Sequence, residues 1–268
     1  MVETTLALPV SSFALPRATR REILFRRLEI KYMVDRPTRT ALTRDLAAFM
    51  RSDAHGGPDG AYLVRSLYLD TPDYMAYHEK LAGAAVRHKL RVRAYGEDLN
   101  EESHLRLEVK SRYLNFIHKI TVEIPWEDYG EVESALRRHS RPPEGLLRDS
   151  RVSQEFFRLQ RQYNLEPKVV VQYRRQAFER LDLSRIRVNF DDELLATRRL
   201  DLTGPLCGAR RILRPGHAIF EIKVDDGLPY WMHTLIGKYN LRHQAISKYC
   251  FAVRSEGRFT AIVREDGT

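Results

Sequence analysis

Lys89, Arg91 and Arg93 fall within the stretch HKLRVRA, residues 88–94, each separated from the next by one apolar residue. In an extended strand the side chains alternate between faces, so the three cations share one face and Leu90, Val92 and Ala94 the other. Same-face neighbours on a strand stand about 7 Å apart, close enough for three like charges to repel. On one strand alone, the simplest reading of such alternation is a solvated outer face.

The pattern recurs. LEIKY (28–32) sets Glu29 and Lys31 against Leu28, Ile30 and Tyr32, and LRLEVK (105–110) sets Arg106, Glu108 and Lys110 against Leu105, Leu107 and Val109. HKITVEI (118–124), VVVQYR (169–174), RIRVNFD (185–191) and FEIKV (220–224) follow the same rule, while YLVRSLYLD (62–70) is more apolar and carries Arg65. Eight strands are predicted. Their charged positions hold eleven basic side chains, Lys31, Lys89, Arg91, Arg93, Arg106, Lys110, Lys119, Arg174, Arg185, Arg187 and Lys223, against five acids, Glu29, Glu108, Glu123, Asp191 and Glu221. That excess is a large part of the chain's net charge of +9 over 268 residues.

Segments with helical start signals separate the strands: 38–50, 73–82, 126–139, 149–163, 229–239 and 243–253, with loops at 53–60, 140–145 and 203–216. Basic strands alternating with helices that cover an apolar face fit a closed barrel with a cationic lumen and helices packed outside. Buried like charges need an anion, and Arg and Lys suit phosphate oxygens, Arg through its bidentate fork and Lys as a point charge. The few acids then suit a hard divalent cation bridging to phosphate. The ligand expected is a polyphosphate chain with Mg²⁺ or Mn²⁺.

The remaining composition narrows the class. Cys207 and Cys250 lie far apart with no CxxC pair, which points to a reducing compartment without a disulfide framework or zinc site. No run approaches the length of a membrane-spanning helix, and Glu3, Pro9 and Pro16 spoil a signal peptide. A cytoplasmic location is expected, with a lead-in at 1–21, one domain over 22–256 and a tail at 257–268. Basic residues interleaved with apolar core positions, rather than with stacking aromatics, argue against nucleic acid.

LEIKY, HKLRVRAYG (88–96), LRLEVK, QYRRQAF (172–178), RIRVNFD, FEIK (220–223) and SKY (247–249) resemble, in order, the motifs of the VTC domain. This is the polyphosphate polymerase domain of the triphosphate tunnel metalloenzyme (CYTH-like) superfamily. The resemblance implies an α+β fold built on an eight-stranded antiparallel closed β-barrel, and transfer of the γ-phosphoryl group of ATP onto a growing polyphosphate chain. Carried over by position, Lys31, Arg91, Arg93, Lys110, Arg174, Arg187 and Lys248 become the catalytic cations. Lys89, Arg65, Lys119, Lys223, Tyr32 and Ser247 become substrate-binding residues, and Glu221 and Glu29 metal ligands. The tunnel triphosphatases and class IV adenylate cyclases carry ExExK; here Arg27 replaces the first glutamate, which favours the polymerase branch. Asn189 stands where the family pattern has Thr. Two alternatives stay open: a metal-dependent triphosphatase or polyphosphatase using the same tunnel, and a non-catalytic polyphosphate-binding module.

Overall fold

Apolar residues at every second position build the wall of this protein, and helices cover most of its outer side. The computed structural model describes residues 23–25, 28–96, 99, 103, 105–113, 116–148, 150–180, 186–225, 227–255 and 257. The lead-in and nearly all of the tail, together with Arg27 and Arg185, lie outside the described residues.

The strands are β1 (Ile23–Phe25), β2 (Leu28–Asp35), β3 (Met50–Ser52), β4 (Ala61–Asp70), β5 (Val86–Tyr95), β6 (Leu105–Tyr113), β7 (Phe116–Ile124), β8 (Glu166–Arg180), β9 (Arg187–Thr197), β10 (Arg210–Arg211) and β11 (His217–Val224). The helices are α1 (Arg36–Leu46), α2 (Met75–Leu81), α3 (Tyr129–Arg138), α4 (Glu144–Arg148), α5 (Arg151–Gln162), α6 (Tyr230–Lys238) and α7 (Lys248–Ser255). Capping sets several boundaries. Asp35 accepts the N–H of Thr38 at 2.9 Å and starts α1 two residues earlier than predicted. Ser150 accepts the N–H of Ser153 at 3.1 Å at the head of α5. Ser247 accepts the N–H of Cys250 at 3.3 Å, so α7 begins at Lys248 rather than near 243.

All strand pairs are antiparallel, in the order β1-β7-β6-β5-β4-β8-β9-β11-β2, with β3 on β8 and β10 on β9. This corrects the expectation of a closed eight-stranded barrel: among the described residues the sheet has eleven strands and no ladder joins its two ends. The reason is local. β1 pairs with β7 and β2 with β11, so each piece of this N-terminal run serves a different end of the sheet. Only residues 26 and 27 separate them, which holds the Cα atoms of Phe25 and Leu28 within roughly 11 Å. The sheet is therefore strongly curled. Lys110 on β6 reaches Glu29 on β2 at 2.6 Å across the seam.

Three apolar clusters show which face is which. Leu90, Val92, Leu107, Val109 and Ile120 pack outward against α3, α4 and α5. Tyr32, Val34, Val188, Phe190, Phe220 and Ile222 pack outward against α1 and α6. The third cluster lies on the inner face, where Tyr68, Val169, Val171, Tyr173, Leu194 and Ile219 meet Tyr249, Ala252 and Val253 of α7. The expectation that helices pack only outside is thus corrected for α7, because at that end the inner face is apolar.

Strand β9 changes register midway. Gln172 pairs with Leu195 and Arg174 with Asp192, so Glu193 and Leu194 stand opposite Tyr173 alone. Glu193 has φ 50°, the left-handed turn of a β-bulge.

Candidate functional site

On β5 the cations face inward and the apolar residues outward. Lys89, Arg91 and Arg93 are register partners of Lys110, Glu108 and Arg106 on β6. Their repulsion is relieved from within the protein. Glu108, with its side chain 1% exposed, accepts from Arg91 Nε at 2.6 Å and from Lys119 Nζ at 2.8 Å, and lies 3.5 Å from Arg93. Burial raises the carboxyl's pKa, but Arg91, Arg93 and Lys119 outweigh it and hold the group ionised well below the usual range. Phenols and a hydroxyl satisfy further guanidinium hydrogens. Tyr68 accepts from Arg91 at 3.0 Å, and Ser66, Tyr95 and Tyr173 accept from Arg93 at 3.2, 3.4 and 3.4 Å.

A second cluster spans β8, β9, β11, β2 and α7. Arg175 grips Asp191 with a two-pronged contact of 2.6 and 2.8 Å, and Lys248 reaches the same carboxylate at 2.6 Å. Glu221 lies 3.7 Å from Lys31, 3.7 Å from Lys223 and 3.8 Å from Arg175, and accepts from Asn189 at 3.3 Å. Glu29 is brought down to about 2: burial opposes its ionisation, but Lys110, Lys223 and Lys31 prevail. Burial pushes Lys89 down to about 8 and Lys223 to about 7. Nine cations, Lys31, Lys89, Arg91, Arg93, Lys110, Lys119, Arg175, Lys223 and Lys248, therefore meet four carboxylates, Glu29, Glu108, Asp191 and Glu221, in one basin.

The residues singled out in the sequence divide accordingly. Lys31, Lys89, Arg91, Arg93, Lys110, Lys119, Lys223, Lys248, Glu29 and Glu221 come together, and Ser247 joins them by accepting from Lys89 at 3.2 Å. Arg187 shares the parity of Asn189 and Asp191 and pairs with Lys223, but it is exposed at the rim. Three placements are corrected. Arg174 points outward and pairs with Asp59, and Arg175 takes the inner position. Arg65 also points outward, donating to Gln172 at 3.0 Å and to the carbonyls of Leu202 and Gly204 at 2.9 and 2.7 Å. Tyr32 is buried on the outer face against Phe220, with ring centroids 5.9 Å apart.

The error on β4 and β8 has one cause. Equating the charged side with the inside fails where α7 lies over the inner face and the inward residues are Val64, Val169, Val171 and Tyr173. Arg175, Asp191, Glu108, Asn189 and Tyr68 are members of the basin that received no individual role from the sequence. Opposite Tyr62 in the register, Arg175 follows the parity of Tyr173, a signal hidden in the tandem arginines of QYRRQ.

Among the described residues no three His, Cys, Asp or Glu side chains converge as a metal cage. Glu29 and Glu221 nonetheless share cations, since Lys31 and Lys223 favour the ionised form of both. Two hard carboxylates fit the mode in which Mg²⁺ or Mn²⁺ takes one or two protein ligands and completes its shell with phosphate oxygens and water.

Fold and site together set a row of cations against buried carboxylates on the inner face of a curled antiparallel sheet. The VTC domain family matches residues 26–256, and the chain belongs to that family. Among curated proteins none matches by sequence. Solved structures of similar fold include a candidate adenylate cyclase of Bacillus halodurans, with 13% identity, a TM-score of 0.48, and coverage of 84% of this chain and 94% of that one. A candidate adenylyl cyclase of Hippeastrum, described as having a dominant triphosphatase activity, shows 15% identity and a TM-score of 0.46, covering 87% and 97%. A protein of Pyrococcus horikoshii shows 12% identity and a TM-score of 0.44, covering 87% and 99%. No helix among the described residues is long and apolar enough to cross a membrane.

Proposed function

We propose that the chain is an ATP-dependent polyphosphate polymerase. The observation that carries this reading is the convergence of nine cations on one concave face against four carboxylates. The terminal phosphate oxygen of the growing chain attacks the γ-phosphorus of ATP, the bond to the β-phosphate oxygen breaks, and ADP leaves. An ionised phosphate oxygen is already a nucleophile, so no general base is required. Charge develops over the transferred group's oxygens, and catalysis consists of positioning and neutralising it.

In this reading Arg91, Arg93, Arg175, Lys31, Lys110 and Lys248 hold the reacting phosphates, while Lys89, Lys119 and Lys223 line the polymer's path with Arg187 at its rim. Ser247 helps to hold Lys89. Glu29 and Glu221 would hold Mg²⁺ or Mn²⁺, which supplies further neutralisation between phosphates. Arg65, Arg174 and Tyr32 have no part in the chemistry. The single tunnel domain works in the cytoplasm, where ATP is at hand and the two free cysteines stay reduced.

Incubation with ATP and Mn²⁺ tests the proposal: ADP and a long acid-labile phosphate polymer are expected. Orthophosphate as the sole phosphate product would make the protein a hydrolase, and absence of ATP consumption would leave a binding module.

A further inference from the structure

Asp70 ends β4 on the inner side of the sheet and is 0% exposed. Its carboxylate accepts the backbone N–H groups of Thr71 at 2.8 Å, Ala76 at 2.8 Å and Tyr77 at 3.1 Å, which fix its orientation from its own chain neighbourhood. It also accepts the phenol O–H of Tyr249, 179 residues away on α7. Burial, and then the charge of Asp70, hold that phenol protonated far above its ordinary range, so it remains the donor.

Tyr249 follows Lys248 in the first turn of α7. Successive residues of a helix point about 100° apart, so clamping one sets the direction of the next. Lys248 then projects to Asp191 at 2.6 Å and passes over the ring of Tyr173, 4.8 Å from its centroid, with its side chain 9% exposed. One residue earlier, Ser247 receives Lys89 at 3.2 Å. The ring of Tyr249 stands 5.3 Å from that of Tyr68, whose hydroxyl receives Arg91. The capping residue Ser247 and the first two residues of the helix thus meet inner-face residues of β5, β9 and β4, and the Asp70–Tyr249 bond sets their rotation.

We propose that Asp70 is a positioning residue: by holding Tyr249 it fixes the rotation of α7 and aims Lys248 into the basin. Its effect on ligand binding rests on the phosphate-tunnel reading; the positioning itself does not.

The test uses the full chain and two readouts. The first is reductive methylation followed by mass spectrometry of the lysine-bearing peptides. In the wild type Lys248, 9% exposed, is expected to react slowly beside Lys238, whose side chain is 52% exposed. Tyr249→Phe removes only the phenol bond and keeps the ring; Lys248 labelling is expected to rise about fivefold or more, with Lys238 unchanged. Asp70→Asn is expected to act in the same direction if it folds, and Tyr249→Phe decides if it does not. The second readout is tripolyphosphate affinity. Tyr249→Phe is expected to weaken it about tenfold, the factor one hydrogen bond to a charged group supports, and to add nothing in a Lys248→Ala background. Unchanged Lys248 labelling beside a lowered melting temperature would reduce the bond to ordinary structure and overturn the proposal. Additive losses in the double variant would overturn it as well. Wild-type protein that fails to bind tripolyphosphate would overturn the functional reading instead, and labelling would then decide the positioning role by itself.

Discussion

Arg91 donates from Nε to Glu108 at 2.6 Å, and the two residues are register partners across the β5–β6 ladder. The cation row of β5 is therefore partly neutralised before any ligand arrives. On the proposed function, an incoming phosphate would compete for cations with Glu108, which shares Arg91, Arg93 and Lys119.

Removing that carboxylate strands Arg91, Arg93 and Lys119 in a buried place. Glu108→Gln is expected to destabilise the protein by about 3 kcal/mol, the usual cost of breaking a buried charge cluster from one side. Tripolyphosphate should restore more melting temperature in the variant than it adds to the wild type. Thermal unfolding with and without tripolyphosphate checks both statements.

Tandem arginines give a sharp contrast. Arg175→Ala is expected to lower turnover of ATP about 100-fold or more, since it removes a preorganised charge from the basin. Arg174→Ala, on the outer face, should leave turnover within about threefold. ADP release in Mn²⁺ measures both, and the reverse ranking would refute the assignment of faces.

Lys89 sits near 8, pushed down by burial from its ordinary 10.5. Tyr68 is also near 8: burial raises it, but Arg91, Arg93 and Lys248 together bring it below its ordinary 10. Between pH 8 and 10 the unfolded chain holds protons that the folded one has released, so these groups make stability rise with pH across that window. Phosphate binding runs the other way, because it needs Lys89 charged and Tyr68 neutral. Tripolyphosphate affinity is expected to fall as pH climbs from 7.5 to about 9.5, with proton uptake on binding, and Lys89→Gln should flatten the profile. Calorimetry in buffers of different ionisation enthalpy reads both.

Glu221→Gln tests the metal assignment. The Mn²⁺ concentration for half-maximal turnover is expected to rise about tenfold or more, while tripolyphosphate still binds without metal. An unchanged Mn²⁺ requirement would remove Glu221 from the ligand set.

Arg65→Ala should destabilise the protein by about 1 kcal/mol through the lost carbonyl contacts of the 202–204 loop, seen as a lower melting temperature, with phosphate affinity unchanged.

Much of the wall was legible in sequence because period-two alternation is local: Leu90, Val92 and Ala94 share one face and Lys89, Arg91 and Arg93 the other, and the basic excess repeated over the strands placed the cations inside. The same logic misplaced Arg65 and Arg174, because it took charge as the mark of the interior. Only the tertiary position of α7 makes the inner face of β4 and β8 apolar. β1, β3 and β10, of three residues or fewer, are too short to carry a period. Glu108 was visible as an acid, but its partners lie on two other strands, β5 and β7, and only the register reveals that it serves three cations.

The bulge at Glu193 lets one strand serve two solvents. Ahead of it, the inward residues Asn189 and Asp191 belong to the charged basin; beyond it, Leu194 and Ala196 belong to the dry floor beneath α7. Without the extra residue, strict alternation would carry Glu193 and Leu195 onto the side that α7 covers and turn Leu194 away. A single inserted position thus acts as a watershed, dividing wet from dry without bending the strand out of its sheet.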